Sequence, residues 1–217
     1  HRNWTRVILQ TARADGGAFA AKSQRWRALN PSWRHEFFDD KRAEAFVRKH
    51  GGFRAHHVYR CLPLAVMRAD FWRYLALYVH GGLYADADTE PKEPIETWLP
   101  PACELFLLKE PAYGKASRYM AQWLIYAKPR SPLLLDVINL IVSRVTADGG
   151  VLPSTRACNQ SKTALEGHTR TTFVHYYTGP AVWTQAVVDR FLSPAARSPQ
   201  GTWCNLQEDA KRLWRDR

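Results

Sequence analysis

Apolar and polar positions alternate along this chain in short blocks that read as strands and helices in turn. Residues 7–9 (VIL) form a β-branched, apolar run predicted as a first strand. Gly16-Gly17 breaks the chain, and residues 18–29 read as a helix that stops at the turn pair Asn30-Pro31. Glu36, Phe37 and Phe38 predict a second short strand. Asp40 is placed to cap the next helix, which would run to about His50 and end at Gly51-Gly52.

Pro63 suits the first turn of a helix covering residues 64–80. Its apolar residues (Leu64, Val66, Met67, Phe71, Trp72, Leu75, Leu77, Val79) occupy nearly every face, so it is predicted to be buried. Gly81-Gly82 ends it, and residues 83–85 form the next strand. Further on, residues 105–108 and 122–127 read as strands, and Ser131-Pro132 starts a helix that runs to about Val145. Residues 151–172 are polar and unpatterned, predicting a long loop. TGPAVWTQAVVDRF, residues 178–191, predicts a turn leading into an amphipathic helix, and the charged tail is predicted as helical. Strand and helix in alternation predict an α/β layer fold, and no boundary divides the 217 residues, so a single domain over 1–217 is expected.

Composition narrows this only in part. Hydrophobic residues make up 46% of the chain, enough for a core, and no apolar run approaches the ~18 residues of a membrane span. No leader peptide is visible, so any membrane anchor is expected to lie outside this chain. The net charge of +11 favours an anionic partner such as nucleic acid, an acidic membrane or a phosphorylated small molecule. The four cysteines (Cys61, Cys103, Cys158, Cys204) have no CxxC spacing, which removes a zinc site and leaves three disulfide connectivities or free thiols. Two N-x-S/T tripeptides, at Asn3 and Asn159, point toward a secretory compartment.

Candidate chemistry concentrates in residues 62–91. Asp86 and Asp88, two apart, would face the same side of an extended segment, where their charges repel unless a divalent cation joins them. A solvated acidic turn is the alternative. Asp70 and Arg73 share a helix face and can pair, yet on a buried helix both charges are costly unless satisfied. Either the pair anchors the helix, or Asp70 accepts from sugar hydroxyls while Arg73 donates to a phosphate or sugar oxygen. Arg68 adds a further cation on the same helix. Gly81 and Gly82 cap the helix and would bring its end close to the strand that delivers the acids. Tyr84, two before Asp86, lies either in the core or against a ligand.

The pattern D-x-x-R-Y-x-x-L-x-x-x-G-G-x-Y-x-D-x-D, filled by Asp70, Arg73, Tyr74, Leu77, Gly81, Gly82, Tyr84, Asp86 and Asp88, resembles the DXD glycosyltransferases of family 32. It is similar also to the glucosyltransferase domains of large clostridial toxins. Within family 32 it resembles the fungal Golgi initiation-specific α-1,6-mannosyltransferases. Supporting pieces are residues 33–40, residues 94–98, Gln122-Trp123 and TGPAVWT at 178–184. Where the family begins with an I-H-Q-x-W-like segment, this chain reads Ile8-Leu9-Gln10-Thr11-Ala12, and it has no clear terminal H-x-x-G-S-W element.

The resemblance implies a GT-A fold, with a Rossmann-like mixed central sheet flanked by helices. It implies a Mn²⁺ (or Mg²⁺) site, GDP-mannose as donor, and retaining transfer to a mannose of a high-mannose N-glycan. Carried over by position, Asp86 and Asp88 would hold the metal. Asp70, Arg73 and Asp86 would be catalytic, and Gln10, Asp70, Arg73, Tyr84, Asp86, Thr178, Gly179 and Pro180 would bind the donor. The resemblance further implies a type II membrane protein of the Golgi lumen with no nucleic-acid partner, touching the membrane only through an anchor absent here. A family 32 enzyme with another donor or a glycolipid acceptor fits the same motif. Outside the class, a D-x-D-x-T phosphatase fits DADT at 86–89, with Asp86 as nucleophile and Asp88 as acid/base. A basic module for glycans or nucleic acid fits the charge and the 9 tryptophans, but leaves the acids and Arg73 unexplained.

Overall fold

A computed structural model describes residues 5–13, 17–110, 119–147, 170–192 and 203–205. Parts of the predicted loop at 151–172, and the charged tail, lie outside them. The chain is organised in two compact units: His1–Lys41, Ala76–Ser131 and Gln200–Arg217 form the first, and Arg42–Leu75 with Pro132–Pro199 the second.

The first unit carries a mixed sheet. Among the described residues it has six strands: β1 (Val7–Thr11), β2 (Arg34–Phe38), β3 (Gly82–Ala85), β4 (Leu105–Lys109), β5 (Met120–Ala127) and β6 (Trp203–Asn205). Their order is β2-β1-β3-β5-β4-β6. β1 runs parallel to both β2 and β3, with Leu9 opposite Glu36 on one side and Tyr84 on the other. β5 runs antiparallel to β3 and β4, and β6 is parallel to β4. All five residues of β1, polar Gln10 and Thr11 included, and all four of β3 are buried, as central strands are. The core gathers Ile8, Leu83, Phe106, Leu124 and Tyr126 with Trp26, Trp33 and Trp98.

Helix α1 (Ala20–Leu29), preceded by a 3₁₀ turn at Gly17–Phe19, links β1 to β2. Its end is pinned by buried Asn30. The side-chain amide donates to the Trp26 carbonyl at 2.9 Å, and its oxygen accepts from the Ile95 N–H at 2.7 Å. Ile95 opens α5 (Ile95–Trp98), a single helical turn between Pro94 and Pro100.

The second unit is helical. It holds most of α2 (Asp40–His50), all of α3 (Gly52–Cys61), α6 (Pro132–Ala147), α7 (Arg170–Tyr177) and α8 (Pro180–Phe191), and the first part of α4 (Ala65–His80). α6 packs on α3, α7 and α8. Aromatic pairs fill its interior: Phe46 with Trp72 at 6.3 Å, Tyr59 with Phe71 at 6.1 Å, and Tyr74 stacked on Trp183 at 5.4 Å.

Gly51-Gly52 ends α2 as expected, and Gly52, with φ of +69°, turns the chain straight into α3, a helix that was not predicted. Ala55, Val58, Tyr59 and Leu62 then bury a 3, 4, 7 stripe. The polar loop expected to reach residue 172 instead overlaps α7, which begins at Arg170. Cys61 is disulfide-bonded, whereas Cys103 is a buried free thiol.

Candidate active site

β1 and β3 are adjacent and parallel, and β2 lies on the far side of β1. The sheet order therefore reverses at β1, and in open α/β sheets ligands bind outside the carboxyl ends of strands at such a point. Gln10 sits near that end of β1, and Asp86 directly follows β3. The path to this position is forced by the glycine pair. Gly81 and Gly82 have φ of +66° and +96°. A side chain at Gly81 would place its Cβ 2.5 Å from Pro129 Cδ, and one at Gly82 would sit 2.4 Å from the Val7 carbonyl oxygen. The predicted close approach of helix end and strand is thus real.

The acids do not lie on an extended edge. β3 stops at Ala85, and Asp86 to Thr89 make a turn closed by the Thr89 N–H on the Asp86 carbonyl at 3.0 Å. The strand periodicity expected to align Asp86 with Asp88 therefore ends at Ala85, before either acid. The turn makes the two unlike: Asp86 is half-buried, and Asp88 is exposed. Tyr84 is buried on β3 and donates its hydroxyl to Asp86 Oδ1 at 2.6 Å. The core reading of Tyr84 holds for its ring, while its hydroxyl reaches the acid.

Gln10 is fully buried, and its amide is held at both ends. Oε1 meets the Ser23 hydroxyl at 2.9 Å and His35 Nε2 at 2.7 Å, while Nε2 donates to the Asp86 carbonyl at 3.3 Å. Arg27 Nε donates to His35 Nδ1 at 3.2 Å, which makes Nε2 the protonated nitrogen of the neutral ring. Burial, aided by Arg27 and opposed by Glu36, lowers the His35 pKa to about 4. This chain of donors behind Asp86 was not expected from sequence; only Gln10 had been singled out.

In the second unit, Asp70 and Arg73 pair as their spacing predicted, with Arg73 Nη2 2.6 Å from Asp70 Oδ1. Both are buried, at 0% and 4% exposure. The other carboxylate oxygen, Oδ2, accepts from the Thr178 hydroxyl at 2.9 Å. One turn along α4 from Asp70, the Tyr74 hydroxyl donates to the Thr178 carbonyl at 3.3 Å. The D-x-x-R-Y and T-G-P motifs are therefore one structural unit, with Asp70 and Tyr74 on a common helix face. Gly179 caps α8 and Pro180 takes its first position, as proline favours. Arg68 donates to the Leu62 carbonyl at 2.7 Å.

Among the described residues no group of three or more His, Cys, Asp or Glu side chains could hold a metal ion. Mg²⁺-type sites commonly use one or two carboxylates and complete their shell with substrate phosphates and water. The turn offers such a pair, hard oxygen donors with Asp88 open to solvent, so it fits a cation shared with a diphosphate.

The family model described as "Glycosyltransferase sugar-binding region containing DXD motif" matches residues 18–104, which include both acids. This stretch of the chain resembles the sugar-binding region of the DXD glycosyltransferases. It is 30% identical over 207 residues to an initiation-specific alpha-1,6-mannosyltransferase of Schizosaccharomyces pombe, covering 87% of this chain and 49% of that protein. It is 31% identical over 160 residues to a putative glycosyltransferase, HOC1, of Saccharomyces cerevisiae, covering 65% and 40%. The chain thus spans about half the length, or less, of these relatives. The structure is similar to the PaToxG glycosyltransferase with a TM-score of 0.58 at 14% identity, covering 85% of this chain and 69% of that one. The fold is the GT-A type.

Proposed function

We propose that this chain is the catalytic region of a retaining, metal-dependent glycosyltransferase. It moves mannose from GDP-mannose to a mannose of a high-mannose N-glycan core, in α-1,6 linkage. The observation that carries this reading is the Asp86–Asp88 turn at the carboxyl ends of β1 and β3, inside the region matched to the family. The name of the Schizosaccharomyces pombe relative, an initiation-specific alpha-1,6-mannosyltransferase, supports the sugar and the linkage.

In this reading Asp86 and Asp88 hold Mn²⁺ or Mg²⁺, which when bound stabilises charge on the departing diphosphate. The Tyr84 hydroxyl keeps one Asp86 oxygen oriented. Asp70, held between Arg73 and Thr178, accepts from sugar hydroxyls. Arg73, always charged, donates to an oxygen of the sugar or diphosphate. Thr178 shapes the donor site through its bonds to Asp70 and Tyr74, and Gly179 and Pro180 complete that turn at the start of α8. Gln10 serves from behind, through the Asp86 carbonyl.

The protein works in the Golgi lumen, on an anchor outside this chain. No helix of the described residues is long and apolar enough to cross a membrane. The disulfide at Cys61 fits an oxidising compartment.

Calorimetry against a panel of nucleotide sugars, with and without Mn²⁺, tests the reading. Mn²⁺-dependent binding that prefers GDP-mannose is expected. A preference for a UDP-sugar would replace the donor, and silence across the panel would overturn the function.

A further inference from the structure

We infer that Thr89 and Trp26 are positioning residues of the metal site, holding the acid turn rigid through its backbone carbonyls. This inference rests on the cation role proposed for Asp86 and Asp88.

Three carbonyls of the turn are tied by side-chain donors. The Asp86 carbonyl accepts from the Thr89 hydroxyl at 2.6 Å and from Gln10 Nε2 at 3.3 Å. The Asp88 carbonyl accepts from Lys22 Nζ. The Thr89 carbonyl accepts from the Trp26 indole N–H at 3.2 Å. One residue beyond, Arg25 pairs with Glu90 at 3.1 Å and donates to the Pro91 carbonyl at 3.0 Å. Lys22, Arg25 and Trp26 are spaced 0, 3 and 4 along α1, so one helix face presents all three donors to one stretch of backbone.

A carbonyl's direction sets the plane of its peptide, and the planes on either side of a residue set where its Cα–Cβ bond points. Tying the carbonyls at 86, 88 and 89 therefore aims the Asp86 and Asp88 side chains. Trp26 has 0% exposure, so its N–H is fixed by packing and is not a mobile surface donor. Thr89 is buried as well, with 7% exposure. Preorganised ligands gain affinity because binding no longer has to order them.

The test compares Thr89→Val, Thr89→Ser and Trp26→Phe with the wild-type chain. Mn²⁺ binding is read from the electron paramagnetic resonance signal of the free ion, with and without GDP, and stability from urea unfolding. Loss of an outer-shell partner weakens metal binding by about 10–100-fold. Thr89→Val and Trp26→Phe are expected to fall in that range while remaining folded, and Thr89→Ser, which keeps the hydroxyl, to bind like wild type. Wild-type affinity in both Thr89→Val and Trp26→Phe would overturn the inference. So would a Thr89→Ser variant as weak as Thr89→Val, or losses that merely track the unfolded fraction. Equal Mn²⁺ binding by wild type and Asp88→Ala would instead locate the error in the cation role itself, and the positioning role would fall with it.

Discussion

The Thr178 hydroxyl donates to Asp70 Oδ2 at 2.9 Å across 108 positions of chain, while Arg73 holds the opposite oxygen at 2.6 Å. Asp70 is thus a buried anion with partners on both oxygens, one from its own helix and one from the turn before α8. The cost of burying its charge is offset by charge-assisted hydrogen bonds.

Removing Asp70 leaves Arg73 as a buried cation without its carboxylate. Asp70→Ala is expected to lower stability by about 3–5 kcal/mol. Thr178→Val should cost about 1–3 kcal/mol, and Thr178→Ser much less. Urea unfolding midpoints measure all three, and a stable Asp70→Ala would show that the pair does not anchor α4.

Asp88 lies exposed in its turn, so its replacement touches little packing. Asp88→Ala is expected to change stability by no more than about 0.5 kcal/mol. Metal-dependent binding of nucleoside diphosphate, followed by calorimetry, should disappear. Retained binding would remove Asp88 from the metal site.

At Gly81 and Gly82 both the backbone and the neighbours exclude a side chain. The left-handed conformation alone costs an L-residue roughly 1–2 kcal/mol. Contacts at 2.5 Å with Pro129 and 2.4 Å with Val7 add to that. Both clashes involve backbone, Pro129 N at 2.6 Å and the Val7 carbonyl at 2.4 Å. Gly81→Ala and Gly82→Ala should therefore each lower the thermal unfolding midpoint, and a midpoint unchanged in either would show that the chain relaxes there.

His35 makes stability depend on pH. Its folded pKa of about 4 lies below the ordinary 6.5, chiefly because burial disfavours the cation. The unfolded chain therefore binds the proton more readily, and this contribution is full above pH 6.5 and lost as pH falls toward 4. Wild-type protein should lose stability across that window more steeply than His35→Gln. Parallel urea midpoints from pH 7 to 4 in the two proteins would show that His35 does not titrate on unfolding.

Most elements were legible where a local pattern carries them. The apolar run of β1, the buried helix α4, the Ser131-Pro132 start of α6 and the Gly179-Pro180 start of α8 all rest on local chemistry of the chain. α3 carried its stripe too, but it directly follows a glycine pair that reads as a stop. β6 was not legible, because three residues become a strand only when Leu105, Phe106 and Leu107 of β4 lie opposite them.

The sequence by itself determined that Asp70, Arg73, Asp86 and Asp88 would stand on one helix–turn–strand segment. It determined also that glycines must join its halves, because spacing along a helix and left-handed backbone are local properties. Only the tertiary structure decided what these residues meet. It placed the acids on a turn beyond β3, bound Asp70 to Thr178, and set Gln10, Trp26 and Thr89 behind the carbonyls of the turn. Hydrogen bonds between distant segments depend on where the sheet and helices bring the chain, and no local pattern encodes that.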